Sequence, residues 1–295
     1  MTEHNQDNTT QFPIRELSAR TQVNTVTLRA WERRYGLLKP TRTAKGHRLY
    51  SEHDVQTIEK ILALAARGVP LGKIKPLLLD DAPLATSEDE AENWQAAVQS
   101  LFAAAEAFSV NKIEHLIRDA YANYPAPICR ERLIEPLFTE LAQLDDAGAA
   151  LGFTESELLR YTAVRLSAKV ASKKGRNTLA LVAGTQAPLW RLALMALELS
   201  DNEFAVHLVN RPFSVAAGIA LAQRTADTYT VFYQDGVWKG KDQSLASAAL
   251  VDNPRLLMCG TAAVLTAAQA NERVFGDTSS CITGVLALSV AASTE

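Results

Sequence analysis

Through the first eighty residues, apolar positions recur at helical steps and stop at residues that end helices. Ile14 and Leu17 give an inward face to a short helix over 12–19, and 21–23 reads as a turn. A second helix is predicted from Asn24 to Gly36. The Asn24 side chain is suited to accept from the free N–H groups of the first turn, and Gly36 can take the left-handed conformation that ends a helix. Leu28 and Trp31 fall on one face, while Thr25, Arg29 and Arg33 share a separate polar face. Pro40 then breaks the pattern, and Gly46 permits a tight turn between two short extended arms over 37–50. Ser51-Glu-His-Asp54 is a capping box for a helix carrying Val55, Ile58, Ile61 and Leu62 and ended by Gly68. A last short helix runs through Leu71, Ile74, Leu77 and Leu78, with Pro76 near its first turn or at a kink.

The period then changes twice. Residues 80–93 hold Asp80, Asp81, Glu88, Asp89, Glu90 and Glu92, no basic residue, and Pro83, as a linker does. Residues 94–176 return to helical spacing in four segments separated by short breaks, which predicts an antiparallel four-helix bundle. From 177 to 295, short apolar runs alternate with helical patterns. Strands are predicted at 178–184, 205–209, 229–233, 256–259 and 282–288, with helices at 189–199, 215–223, 246–250 and 262–271. That alternation predicts a doubly wound, Rossmann-like α/β domain. The stretch after its first strand, Gly184 to Trp190, is not a G-x-G-x-x-G fingerprint, so a dinucleotide oxidoreductase is disfavoured.

Charge sharpens this division. The 295 residues carry a net charge of −3, but 12–79 hold thirteen Lys/Arg against five Asp/Glu, net +8, leaving −11 for the rest. A basic head on an acidic body points to a polyanionic partner. No apolar run reaches the roughly 18 residues that span a bilayer. The polar segment 1–11 reads as a disordered tail without a signal-peptide core. Cys129, Cys259 and Cys281 have no paired spacing, which suits a reducing compartment and buried thiols rather than zinc or disulfides.

Two short helices and a turn make a helix-turn-helix, whose second helix enters the major groove. On it, Thr25, Arg29 and Arg33 are the candidate contacts, since arginine donates two bonds to guanine and also holds phosphate. On the hairpin arms, a wing, Arg42, Lys45, His47 and Arg48 are placed for backbone phosphates. Tyr50 either offers its hydroxyl there or packs. So small a reader makes few contacts, and a homodimer on a palindrome is expected. The chain shows no G-x-S-x-G elbow, paired metal ligands or Walker loop, so an enzyme is not expected.

Thr27-Leu-Arg-Ala-Trp-Glu-Arg-Arg-Tyr-Gly-Leu-Leu38, then Gly46-His-Arg-Leu-Tyr50, Asp54-Val55 and Gly68-Val69, closely resemble the MerR-type winged-helix regulators. The Arg-x-Trp-Glu-x-Arg-Tyr-Gly form is similar to the branch with light-responsive repressors of the CarH type and matrix-gene activators of the MlrA type. The resemblance implies a regulator that distorts promoter DNA for RNA polymerase, working in the cytoplasm at the nucleoid, and adds Arg34 to the candidate DNA contacts. It also implies a helical-plus-α/β module of the cobalamin-binding type. The motif residues of such modules are altered here. Asp145 stands at the tryptophan position, Glu155 is kept, Ser156 replaces histidine, and 184–190 hold no histidine to ligate cobalt. No cofactor and no metal are therefore expected. His207 is expected to be a hydrogen-bonded core residue and His115 a surface one. The MlrA-type resemblance implies activation of biofilm genes and docking of cyclic-di-GMP signalling proteins. One alternative is a ligand-sensing switch, with Gly184, Thr185, Asn210 and Arg211 at the carboxyl ends of the strands receiving cyclic-di-GMP or another small molecule. The other is a cobalamin-dependent, light-responsive repressor.

Overall fold

A computed structural model describes residues 11–78, 88–146, 148–170, 177–266 and 271–291. The tail expected at 1–11 (all but Gln11), most of the acidic linker, and the basic turn Lys173–Arg176 lie outside the described residues. By packing, the chain divides into two units, Met1–Leu151 and Gly152–Glu295.

The first unit begins with strand β1 (Phe12–Pro13) and helix α1 (Ile14–Thr21). Phe12 was expected in the helix. It instead pairs with Tyr50 and buries its ring, while Pro13, extended at φ −75°, turns the chain into the helix. Gln22 takes a left-handed φ of 56°, and α2 (Thr25–Ala30) follows. It runs directly into a π-helical turn, Trp31–Tyr35, closed by Gly36 at φ 60°. Strands β2 (Thr41–Arg42) and β3 (Arg48–Tyr50) form an antiparallel hairpin with Arg42 opposite Arg48, and β3 lies between β1 and β2. Helix α3 (Glu52–Arg67) opens where Asp54 accepts from the Ser51 backbone N–H at 2.8 Å and ends at Gly68, φ 104°. Pro76 lies in the last turn of α4 (Leu71–Leu77), not its first. There its missing N–H removes one intrahelical bond near an end that frays anyway.

Helix α5 (Glu88–Glu106) starts inside the expected linker. Next come α6 (Val110–Asn123), α7 (Ala126–Cys129), a π-turn at Arg130–Ile134, and α8 (Glu135–Leu141). The last three form one continuous helical stretch, and α5 packs on both α6 and α8. The core of this unit gathers Leu17, Leu28, Trp31, Tyr50, Ile58, Ile61 and Ile74. It is not closed by the basic head alone: Ile128 is part of it, and Trp94 and Tyr124 pack against it. Trp94 donates from Nε1 to the Ala65 carbonyl at 2.9 Å, and its ring lies 4.9 Å from that of Tyr124. Burial pushes the Tyr124 hydroxyl up to about 12, so it stays a neutral donor.

Helix α9 (Ala149–Val170) leads into the second unit. Its five parallel strands are β4 (Thr178–Gly184), β5 (Ala205–Phe213), β6 (Tyr229–Tyr233), β7 (Leu256–Cys259) and β8 (Val274–Phe275), in the order β5-β4-β6-β7-β8. Helices α10 (Leu189–Asp201) and α14 (Thr278–Ala291) cover one face through Leu192, Met195, Cys281, Ile282 and Val285. The other face is covered by α11 (Val215–Arg224), α12 (Lys241–Asp252) and α13 (Thr261–Thr266), through Val215, Ile219, Ala246, Leu250 and Ala262. This is doubly wound winding around a parallel sheet.

Two expectations fail here. Residues 282–288 are helix, not strand, and β8 takes the edge instead. Asp277 accepts from the Ser280 N–H at 2.9 Å and starts α14, and Gly284 lets the helix lie against the Phe275 ring. His207 is hydrogen-bonded, at 3.1 Å to the Asp227 Oδ2, but it is not core: β5 is an edge strand and the imidazole is more than half exposed. His115 is exposed, as expected.

Candidate nucleic-acid interface

The Asn24 side-chain oxygen accepts from the N–H groups of Val26 and Thr27, at 3.0 and 2.9 Å. This cap fixes where α2 begins and hence which side chains point outward. Thr27, Leu28, Ala30 and Trp31 are buried, Thr25 is half-buried, and Arg29 and Arg33 are exposed. The expected polar face exists, and Arg33 leans back through Nε to the Arg29 carbonyl at 3.4 Å.

The hairpin tip is tied by Thr43. Its N–H donates to the His47 carbonyl at 2.9 Å, its carbonyl accepts from Gly46, and its hydroxyl oxygen accepts from the His47 N–H. Gly46 sits at φ 82°. Lys45 and His47 are exposed at this tip.

Glu32, on the π-turn, joins these two elements. One carboxylate oxygen accepts from Arg48 Nε at 2.6 Å and the other from Arg42 Nη2 at 3.3 Å. The Glu32 side chain is only 14% exposed, so the pairs are better shielded than ordinary surface bridges. The hydrogen bond to Glu32 raises the Arg48 pKa above its usual value. Arg42 and Arg48 are therefore engaged in holding the hairpin to the turn that continues α2. Glu32 was missed in the sequence, although it is the only acidic residue between Arg29 and Arg48.

Two further candidates are placed differently: Tyr50 is buried, whereas Arg34 is exposed and also reaches α6. Tyr50 is 1% exposed, and its hydroxyl is among the buried polar atoms without a hydrogen-bond partner. It packs in the core, and burial raises its pKa, so it lies off the outward surface. Arg34 turns toward α6, with Nη1 3.3 Å from the Asn123 Oδ1. The same oxygen accepts from the Tyr35 hydroxyl at 2.8 Å, and the Asn123 backbone carbonyl accepts from Trp31 Nε1 at 2.9 Å. The Asn123 amide nitrogen donates to the carbonyl and carboxylate of Asp119. A buried asparagine at the end of α6 thus satisfies three side chains from the turn that continues α2. Sequence spacing carried no signal for it.

In the second unit, the expected pocket takes a different form. Asn210 and Arg211 lie within β5, not beyond it. The register against β4 shifts there, with Val182 opposite Val209 and Ala183 opposite Pro212, so both residues sit in a bulge. They and Thr185 are exposed, and Arg211 leans over Phe213. At the carboxyl ends of β4, β6 and β7 the crevice is occupied by the chain itself. A Cβ on Gly184 would stand 1.8 Å from the Gln234 Oε1, and one on Gly236 would stand 2.1 Å from the Gln186 Oε1. Asp235 accepts from the Thr261 N–H at 3.2 Å. Glu155 accepts from the Trp190 N–H at 2.9 Å and caps α10. The loop after β4, residues 184–190, holds no imidazole. Among the described residues, no helix is long and apolar enough to cross a membrane.

Comparison with known proteins agrees with the head. Residues 12–80 match the MerR HTH family regulatory proteins. The HTH-type transcriptional regulator MlrA of Salmonella typhimurium is 32% identical over 171 residues, covering 58% of this chain and 68% of that one. MlrA of Escherichia coli is 32% identical over 169 residues, covering 57% and 67%. The HTH-type transcriptional repressor CarH of Myxococcus xanthus is 30% identical over 132 residues, covering 41% and 43%. Among solved structures, a monomethylamine corrinoid protein of Methanosarcina barkeri aligns with 66% of this chain and 99% of its own at 9% identity and a TM-score of 0.45. A helix-turn-helix with an arginine-bearing outward face, inside a match that runs well past the head, places the protein: the chain belongs to the MerR family of DNA-binding transcriptional regulators.

Proposed function

We propose that this regulator binds a palindromic promoter site as a homodimer, with α2 in the major groove and the β2–β3 hairpin as a wing on the flanking backbone. The observation that carries this is the outward face of Thr25, Arg29 and Arg33 beside Lys45 and His47, backed by buried Leu28 and Trp31. Arg42 and Arg48 set the wing's position through Glu32 and reach phosphate only as its partners. By likeness to MlrA, it acts with RNA polymerase in the cytoplasm as an activator of biofilm-type genes, and its partners include cyclic-di-GMP signalling proteins. Residues 12–79 are the reading domain, 80–93 a linker, 94–176 a four-helix bundle and 177–295 an α/β domain that regulates without cobalamin. Gln186 and Gln234 in the crevice support that last point. Selection of bound sequences from random duplexes by the full chain, matched to genome occupancy and to transcripts after deletion, tests the reading. Recovery of no preferred sequence refutes it.

A second reading has the α/β unit as a switch for a phosphate-bearing ligand such as cyclic-di-GMP. The exposed bulge that presents Asn210 and Arg211 on the edge strand favours it. Isothermal titration with cyclic-di-GMP decides: no heat at high nucleotide concentration removes this reading. Adenosylcobalamin that co-elutes with the protein in gel filtration removes the cobalamin-free one.

A further inference from the structure

We propose that Val26 reads the C5-methyl group of a thymine in the operator, and so sets base preference beside Arg29. The inference rests on the reading of α2 as the groove helix. Val26 is 67% exposed, whereas Thr27, Leu28 and Ala30 of the same helix are buried. Its backbone N–H is already held by Asn24 at 3.0 Å, so what it offers outward is its two methyl groups. It lies in the first turn of α2, three residues before Arg29, and residues at that interval are neighbours on one helix face. Side chains at the start of the reading helix are those that reach base edges.

Isolated exposed valines are ordinary on protein surfaces. This one stands in an outward face that otherwise carries Thr25, Arg29 and Arg33. The groove edge of DNA offers one apolar feature, the thymine methyl, and apolar side chains are its usual contacts. A β-branched side chain loses little rotamer freedom when it docks in a helix. Val26 and Arg29 together then define a two-position code: a methyl at one base pair and the acceptors of guanine at a neighbouring one.

The test uses the full-length protein and the duplex it selects. Each thymine is replaced singly by deoxyuridine, which removes only the methyl, and binding is followed by fluorescence anisotropy. For the native protein, one thymine per half-site should weaken binding about fourfold when its methyl is lost, as expected for one buried methyl. Val26→Ala should start from the weakened level and be indifferent to uracil at that position, while remaining sensitive to changes at the guanine. Circular dichroism checks that the variant is folded, which its exposed position favours. A flat uracil scan, or a Val26→Ala protein as sensitive as the native one, overturns this inference alone. A protein that selects no sequence overturns the groove-helix reading and this inference with it.

Discussion

Trp31 donates its indole N–H to the backbone carbonyl of Asn123 at 2.9 Å. The donor lies in the turn that continues α2, and the acceptor ends α6, where carbonyls lack intrahelical partners. The DNA-reading head is thereby fastened to the helical segment by a bond buried from water, and the Asn123 side chain adds Tyr35 and Arg34 to the same joint.

Asn123→Ala should therefore destabilise the first unit by about 1–3 kcal/mol, the range for leaving a buried polar group unpaired. Tyr35→Phe should cost about 1 kcal/mol, and the double variant less than the sum, because both remove one bond. Urea unfolding of the three variants followed by tryptophan fluorescence measures this. Additive losses would show that Tyr35 and Asn123 act apart.

Glu32→Ala should lower the preference for the operator over random duplex by roughly tenfold or less, since charge-assisted bonds of about 1.5–3 kcal/mol are lost from a partly exposed pair. Affinity for random duplex should rise at the same time, because a negative charge leaves the contact face. Titration of both duplexes at matched salt separates the two effects.

Arg29→Ala should cost about 1–3 kcal/mol of operator affinity and relax the preference at one base pair. Lys45→Ala, at the hairpin tip, should weaken all duplexes alike and reduce the salt slope by about 1. Affinities measured across a salt series distinguish these two behaviours.

All three cysteines are buried. Burial, with a hydrogen bond to Cys259, raises the Cys281 thiol pKa well above the ordinary value, so at pH 8 it remains protonated. The thiolate is the reactive form, and the native protein should therefore resist an aromatic disulfide reagent at pH 8. Three thiols should react once denaturant is added. Fast reaction of the folded protein would contradict this packing.

Much of the head was legible because its signals are local. Asn24, Gly36 and Gly68 punctuate helices within a few residues of the positions they govern. What escaped depends on distant partners. Phe12 forms a strand only because Tyr50 is there to pair with it. Glu32 finds Arg42 and Arg48 ten and sixteen residues on, and Asn123 meets Trp31 across 92 residues. The run Ile282 to Leu288 is apolar enough for either a strand or a helix covering a sheet, and the deciding cap, Asp277, precedes it. Cys259 and Cys281, far apart in sequence, meet in one core.

Because one carboxylate, on the turn that continues α2, grips both arms of the hairpin, α2 and the hairpin are held like the jaws of a fixed gauge. If α2 and the hairpin contact DNA as proposed, duplexes should be sorted by groove spacing as well as by base identity. A site with the right bases but the wrong local width should then be rejected without any side chain having to clash.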